Sequence, residues 1–337
     1  MAEPDIDLAG RTPAPAPTIV YLDQNKWIDL ARAVKDPDRY PEHYAVLETL
    51  VEGSKAGRLI VPLTQTNIYE THKTSDPGRR HDLAFTQASL SQGRVFRGRH
   101  KRLEVEATDV MRRAYGLEPL PRAANWFISK VFFEATVEWE SDRLAVTVSP
   151  RLFEAMQNDP PRFLYDYLMN TPEPVRVAAV KRFSEDSEKL RQRVEARRAR
   201  DANEPLSMRR RIYSANLMVD DLEMLSRFIP RAGLPTTNEN EIFSKCARKL
   251  INESPSYLIE RELTLKLEAQ PRPIAENDFR DMQAFCAVIA YADIVVAENQ
   301  FSNLAQQAGL DKIFKTRVIT RLAAFPAEFE SSTAQVA

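Results

Sequence analysis

Three short apolar runs, Thr18–Leu22 (TIVYL), residues 59–62 (LIVP) and residues 294–297 (IVVA), restrict the folds open to this chain more than any other feature. Each is rich in β-branched residues and lacks polar alternation, the pattern of a strand buried on both faces of a parallel sheet. Helical patterns separate the first two: QNKWIDLARAV, with Trp27, Ile28, Leu30, Ala31 and Val34 at helical spacing, and residues 44–56, closed by Gly57. Parallel strands need crossover connections, so the chain reads as α/β. A helix over residues 63–73, with Thr64 or Thr66 as N-cap, another over 81–91, and a strand at Val95 and Phe96 extend the order to β, α, β, α, β. The pattern resumes near the end. Asn277 and Asp278 are expected to cap a helix over 279–291, followed by the IVVA strand, a helix over 301–309 and a last strand over 316–320. Two distant parts of the chain would thus complete one sheet.

Between them, residues 99–271 carry long charged helical patterns, proline-punctuated turns and almost no strand signal, too long a stretch to be a loop. The expected organisation is a disordered Pro/Ala tail over 1–17, an α/β domain from 18–98 plus 272–325, a helical insertion over 99–271 and a second tail over 326–337. With 43% hydrophobic and 28% charged residues in 337, a sizeable core and one large domain or two ordinary ones are expected.

Other classes are disfavoured. Nine glycines are few, and neither GxGxxG nor GxxxxGKS/T occurs, which speaks against dinucleotide and P-loop sites. Cys246 and Cys286 are far apart, and His43, His72, His81 and His100 lack zinc-ligand spacing. The N-terminus lacks the apolar stretch of a signal peptide, and the longest apolar run, 284–297, is interrupted by Asp293 and too short to span a bilayer. A cytoplasmic protein without a membrane partner is expected. A net charge of −1 argues against a uniformly basic coat. Residues 176–213 nevertheless hold twelve Lys/Arg against six Asp/Glu. Alternating signs in SEDSEKLRQRVEARRARD suit an exposed helix with i,i+4 pairs. The run through Arg191, Arg193, Arg197 and Arg198 to Arg209, Arg210 and Arg211 is also the densest supply of charge for a phosphate track, with the last three as substrate-binding candidates.

Two of the buried strands end on an acid, Asp23 and Glu298. Binding crevices in parallel α/β sheets form at the carboxyl ends of strands, and right-handed crossovers keep those ends on one rim. Glu70 follows the second strand closely, and Asp281 lies on the helix before the IVVA strand. Four carboxylates can then converge. Such a cluster suppresses its own ionisation unless a hard cation such as Mg²⁺ or Mn²⁺ joins it. The chemistry this favours is phosphodiester hydrolysis by metal-activated water.

On these residues the chain resembles the PIN-like nuclease family. YLDQNKW resembles the family's first strand ending on Asp, IYETHK its helical Glu, and NDFRDMQAFCAVIAYADIVVAENQF its closing segment, with Glu298 where Asp is commoner. The resemblance implies a Rossmann-like α/β/α sandwich with a parallel sheet, interrupted here by the helical insertion. It also implies Asp23, Glu70, Asp281 and Glu298 as metal-binding catalytic acids for Mg²⁺ or Mn²⁺, and cleavage of RNA. An endoribonuclease acting as a toxin or in phage defence, with an inhibitory or partner protein on the insertion, is the corresponding expectation. A catalytically weak PIN-like module that binds nucleic acid or protein, and a DNA or flap-type nuclease, are the alternatives.

Each acid also has a structural role open to it. Asp23 suits an N-cap, Glu70 a surface position, and Asp281 the N3 partner of an Asp278 cap. Asp278, Asn25 and Lys73 are secondary candidates, for metal, ligand orientation and phosphate contact respectively. Asp293 begins the strand that Glu298 ends, roughly 16 Å away at about 3.3 Å per residue, and is assigned to structure. Trp27, Tyr69 and Phe301 suit the core, and His72 points away from Glu70.

Overall fold

The computed structural model describes residues 16–135 and 149–334. The expected N-terminal tail, apart from its last two residues, lies outside them. The described chain is mixed α/β and mostly helical. Its strands are β1 (Thr18–Leu22), β2 (Leu59–Ile60), β3 (Val95–Phe96), β4 (Ile128–Ser129), β5 (Ile294–Val296) and β6 (Arg317–Ile319). Four of them form a parallel sheet in the order β2-β1-β5-β6, so the two distant parts of the chain do share one sheet.

β1 shows why no polar alternation appears in these runs. Val20 and Leu22 enter one core with Trp27, Leu50 and Phe329, while Ile19 and Tyr21 enter another with Phe279, Phe285 and Val288. With both faces covered, each large apolar side chain contributes about 1.5–3 kcal/mol. A third core, around Leu103, Phe228, Leu250 and Tyr257, holds the helical region together. That region is tied to the sheet. Leu164 and Leu168 of the helix Pro160–Asn170 join the first core, and Val194 of the helix Glu173–Arg200 joins the second.

Three expectations are corrected. Val95 and Phe96 do not extend the main sheet as a full strand. β3 pairs antiparallel with β4 and touches the end of the β2 segment through a single parallel bridge, Leu63 to Val95. β4 itself lies in the stretch expected to be helical; a two-residue strand has no periodicity to reveal it. The expected tail from 326 begins as part of the helix Phe325–Ala334, whose Phe325 and Phe329 are buried at i,i+4 spacing beside Leu59 and Gly53. The first half of Phe325–Ala334 is thus an anchor for the sheet edge, and residues 335–337 lie outside the described ones.

Candidate functional site

Leu22 and Val296 are register partners on adjacent parallel strands, which brings Asp23 and Glu298 to the same carboxyl edge. The Asp23 amide donates to the Val296 carbonyl at 2.9 Å, locking that edge. Asp23 also caps the helix Gln24–Lys35: its Oδ1 accepts from the Gln24 amide at 2.8 Å. Capping and a place at the rim therefore coexist in one side chain. Glu298 occupies the N-cap position of the helix Asn299–Gln307 without capping it; its carboxylate accepts from Asn25 Nδ2 at 2.5 Å instead.

Glu70 is set by a different device. The helix Gln65–Lys73 starts at a capping box in which Thr64 Oγ1 accepts from the Asn67 amide and Asn67 Oδ1 accepts from the Thr64 amide. Asn67 Nδ2 then reaches the Leu22 carbonyl at 3.4 Å, and Gln24, Thr71 and Gln87 close a buried ring of hydrogen bonds around it. Buried polar networks of this kind are costly unless satisfied, so the one arrangement that satisfies it fixes this helix against the end of β1.

Asp281 is half-buried on the helix Glu276–Val288, and its side chain makes no hydrogen bond or ion pair among the described residues. Burial pushes its carboxyl up to about 8, helped by the charges of Asp23, Glu70 and Glu298. Glu70 is pushed up to about 7, first by burial and then by Asp23, with Arg280 and Lys73 opposing. Asp23 is also raised, by burial most and by Glu298, against the Gln24 amide. The four acids thus share one electrostatic field, and Asp23, Asp281 and Glu298 line one small cleft with Tyr21. As arranged, no group of three or more His, Cys, Asp or Glu side chains among the described residues is set to hold a metal ion.

The secondary candidates separate. Asn25 stays at the rim: one side of its amide binds Glu298, and its Oδ1 is buried without a hydrogen-bond partner. Lys73 is exposed at the end of its helix, near enough to lower Glu70. Asp278 is corrected to a structural role. It is the N3 residue that reaches back to the Ala275 amide at 2.7 Å, and it takes a bidentate Arg272 at 2.8 and 2.6 Å and Gln300 at 2.7 Å. Burial opposes its charge, but these donors outweigh it and hold the carboxyl below its usual range. Asp281 is therefore not the N3 partner of an Asp278 cap, and the helix begins at Glu276, before the expected start. Asp293 accepts from the Ile19 amide at 2.7 Å, at the strand end away from the rim. His72 is buried against Tyr167, and Trp27, Tyr69 and Phe301 are core residues.

Three of the phosphate-track arginines, Arg197, Arg209 and Arg210, have buried or half-buried acidic partners. Arg209 donates to Glu268 at 3.0 Å, where Arg197 also binds, and Arg210 makes a bidentate pair with Glu262. Arg211 is exposed.

Two neighbours of the acids escaped the sequence reading. Arg280, 7% exposed, donates to Glu70 and packs on Tyr69; its place beside Asp281 in FRDM was a visible signal. Tyr21 is fully buried beneath the cleft, its hydroxyl without a hydrogen-bond partner and its pKa raised by burial, Asp23, Glu70 and Asp281. A tyrosine inside TIVYL looks like any core aromatic, so no signal marked it. No protein-family model, curated protein or solved structure matches this chain.

Proposed function

We propose that the chain is a divalent-metal-dependent endonuclease of the PIN-like kind, with RNA as its substrate and a Rossmann-like α/β/α core as its frame. One observation carries the reading: Asp281 is a half-buried carboxylate with no internal donor, its pKa raised by burial and then by neighbouring acids, Asp23, Glu70 and Glu298 foremost. Folded chains keep unpaired buried carboxylates at a cost that a bound cation reverses.

The residues fit a hard cation by their donor chemistry. Asp23, Glu70, Asp281 and Glu298 would hold Mg²⁺ or Mn²⁺, with the orphaned Oδ1 of Asn25 as a neutral oxygen beside them. Such an ion supplies charge stabilisation at the phosphoryl oxygens and an activated water. The chain's own part is positional. Asn25 orients Glu298, the Gln24 amide orients Asp23, and exposed Lys73 offers a phosphate contact on the side of Glu70.

A second reading is a catalytically weak binding module, favoured by the Arg280–Glu70 pair, which already gives one of the four acids a counter-ion. The discriminating experiment incubates wild type and Asp23→Asn with labelled single-stranded RNA and DNA in Mg²⁺, Mn²⁺ or EDTA. Metal-dependent RNA cleavage lost in the variant supports the nuclease. Binding without cleavage in any metal supports the module, and preferential DNA cleavage moves the substrate.

A further inference from the structure

The two helices that carry Glu70 and Asp281 also wall a separate cavity of about 360 Å³, through Gln65, Thr66, Met282, Gln283 and Cys286. None of the four rim acids is among its lining residues. Four arginines line it, Arg97, Arg99, Arg102 and Arg193, against two acids, Asp221 and Glu260. Both acids are engaged by Arg99, which donates to Asp221 at 2.6 Å and to Glu260 at 3.0 Å. Arg97 pairs with Glu134 at 3.3 Å.

Arg102 has no such partner. It is 3% exposed, its amino groups donate to the carbonyls of Arg97 and Cys286, and its Nε is buried without a hydrogen-bond partner. Glu106, whose charge reaches it, is already held by Ser256 and Tyr291. Burial pulls the Arg102 guanidinium below its usual range. Arg193 is exposed at the cavity and makes no hydrogen bond or ion pair among the described residues.

The backbone at the cavity has the same polarity. The helix Arg99–Ala114 begins at Gly98, another lining residue, which supplies no side-chain cap. Its first turn holds Arg99, Lys101 and Arg102 and no acid. Cations at a helix N-terminus oppose the helix dipole, and an anion placed there reverses the sign for both. The remaining wall mixes apolar side chains, Phe96, Leu190, Met224 and Met282, with the uncharged polar Gln65, Thr66 and Gln283, which suits a ligand with an uncharged body and one anionic end.

We propose that this cavity binds a small organic phosphate of the nucleoside monophosphate class, its phosphoryl group held by Arg102, Arg193 and the Gly98 end of the helix. The Gly98 amide itself donates to the Glu134 carbonyl, so the helix contributes the amides that follow it, and guanidinium groups and helix-terminal amides together match a phosphate better than either does alone. The ligand is either a free nucleotide or the phosphorylated end of an RNA strand, which present the same chemistry. The proposal does not rest on the nuclease reading.

Calorimetric titration of the full chain in EDTA tests it, with adenosine 5′-monophosphate, adenosine, and hexaribonucleotides carrying a 5′-phosphate or a 5′-hydroxyl. Adenosine 5′-monophosphate should bind and adenosine should not, and Arg193→Gln or Arg102→Lys should weaken binding by at least about tenfold. Arg193 is exposed, so its variant keeps the test sound if the Arg102 variant fails to fold. Tighter binding of the 5′-phosphorylated than the 5′-hydroxyl hexamer assigns the site to an RNA end; binding of the mononucleotide alone assigns it to a free nucleotide. Absence of binding by every phosphorylated probe at millimolar concentration, or equal binding of adenosine and its monophosphate, overturns the proposal. Unchanged affinity in Arg193→Gln together with a folded Arg102→Lys does so as well. EDTA removes metal-dependent cleavage from all arms, so failure here is distinct from failure of the nuclease reading.

Discussion

The Arg280 guanidinium donates to the Glu70 carboxylate at 3.4 Å, while Asp281, the next residue on the same helix, has no counter-ion among the described residues. One acid of the rim therefore has an internal counter-ion and its neighbour does not. If Arg280 competes with a divalent ion for Glu70, Arg280→Gln should raise Mn²⁺ affinity about threefold to tenfold at pH 8.5, where Glu70 is ionised. Calorimetry with Mn²⁺ reads this directly. Unchanged or weaker affinity would make Arg280 a support for Glu70 and not a competitor.

Asp23→Asn and Asp281→Asn are each expected to abolish cleavage while the apo protein stays as stable as wild type or gains slightly. Asn caps a helix about as well as Asp, so the Gln24 amide keeps its acceptor in the first variant. In the second, no side-chain hydrogen bond is lost, and above about pH 8 one like charge leaves the cluster. Denaturant midpoints and RNA cleavage measured side by side check both halves, and retained cleavage in either variant removes that residue from the site.

The raised carboxyls give the pH dependence a definite sign. Asp281 at about 8 and Glu70 at about 7 hold protons in the folded chain that the unfolded chain has already released above about pH 4.5. Without divalent ions these groups therefore lower stability as pH rises from about 4.5 to about 8. Bound metal displaces the same protons, so the Tm increment produced by Mn²⁺ should grow between pH 6 and pH 8. Asp281→Asn should flatten both trends. An increment that is constant with pH would contradict a carboxylate-held ion.

The basic stretch now divides into parts with different expected effects. Arg209 serves Glu268, which is nearly fully buried and still has Arg197, so Arg209→Gln should destabilise by about 1–2 kcal/mol. Arg210 is 43% exposed, and its pair with Glu262 should matter by less than about 1 kcal/mol. Arg211→Gln should leave stability unchanged and, if that face tracks RNA, lower the salt slope of binding by about one unit. Filter binding across a salt series decides; an unchanged slope excludes Arg211 from the track.

Gly93 is a position where the fold needs glycine. Its φ is +68°, and a Cβ there would meet the Pro160 carbonyl carbon at 2.3 Å. The close approach seats the helix Pro160–Asn170 on the first core. Gly93→Ala is expected to cost about 2–4 kcal/mol, from backbone strain plus overpacking. A denaturation midpoint within error of wild type would show that Pro160 moves aside freely.

The apolar runs by themselves determined that the chain is α/β with a parallel sheet, because TIVYL, LIVP and IVVA lack the alternation that a half-solvated strand shows, and the sheet indeed buries both faces. Asp23 and Glu298 were legible for the same reason: an acid that directly follows a buried strand must emerge at its carboxyl edge. Tertiary structure alone decided the rest. β4 and the docking of Phe325 and Phe329 are too short, or too dependent on a distant partner, to leave a periodic trace. Asp278 and Asp281 are both acids on one helix, and nothing local divides them. Arg272 and Gln300 reach one and no donor reaches the other, because a carboxylate's role is set by the groups that the fold brings within hydrogen-bond range.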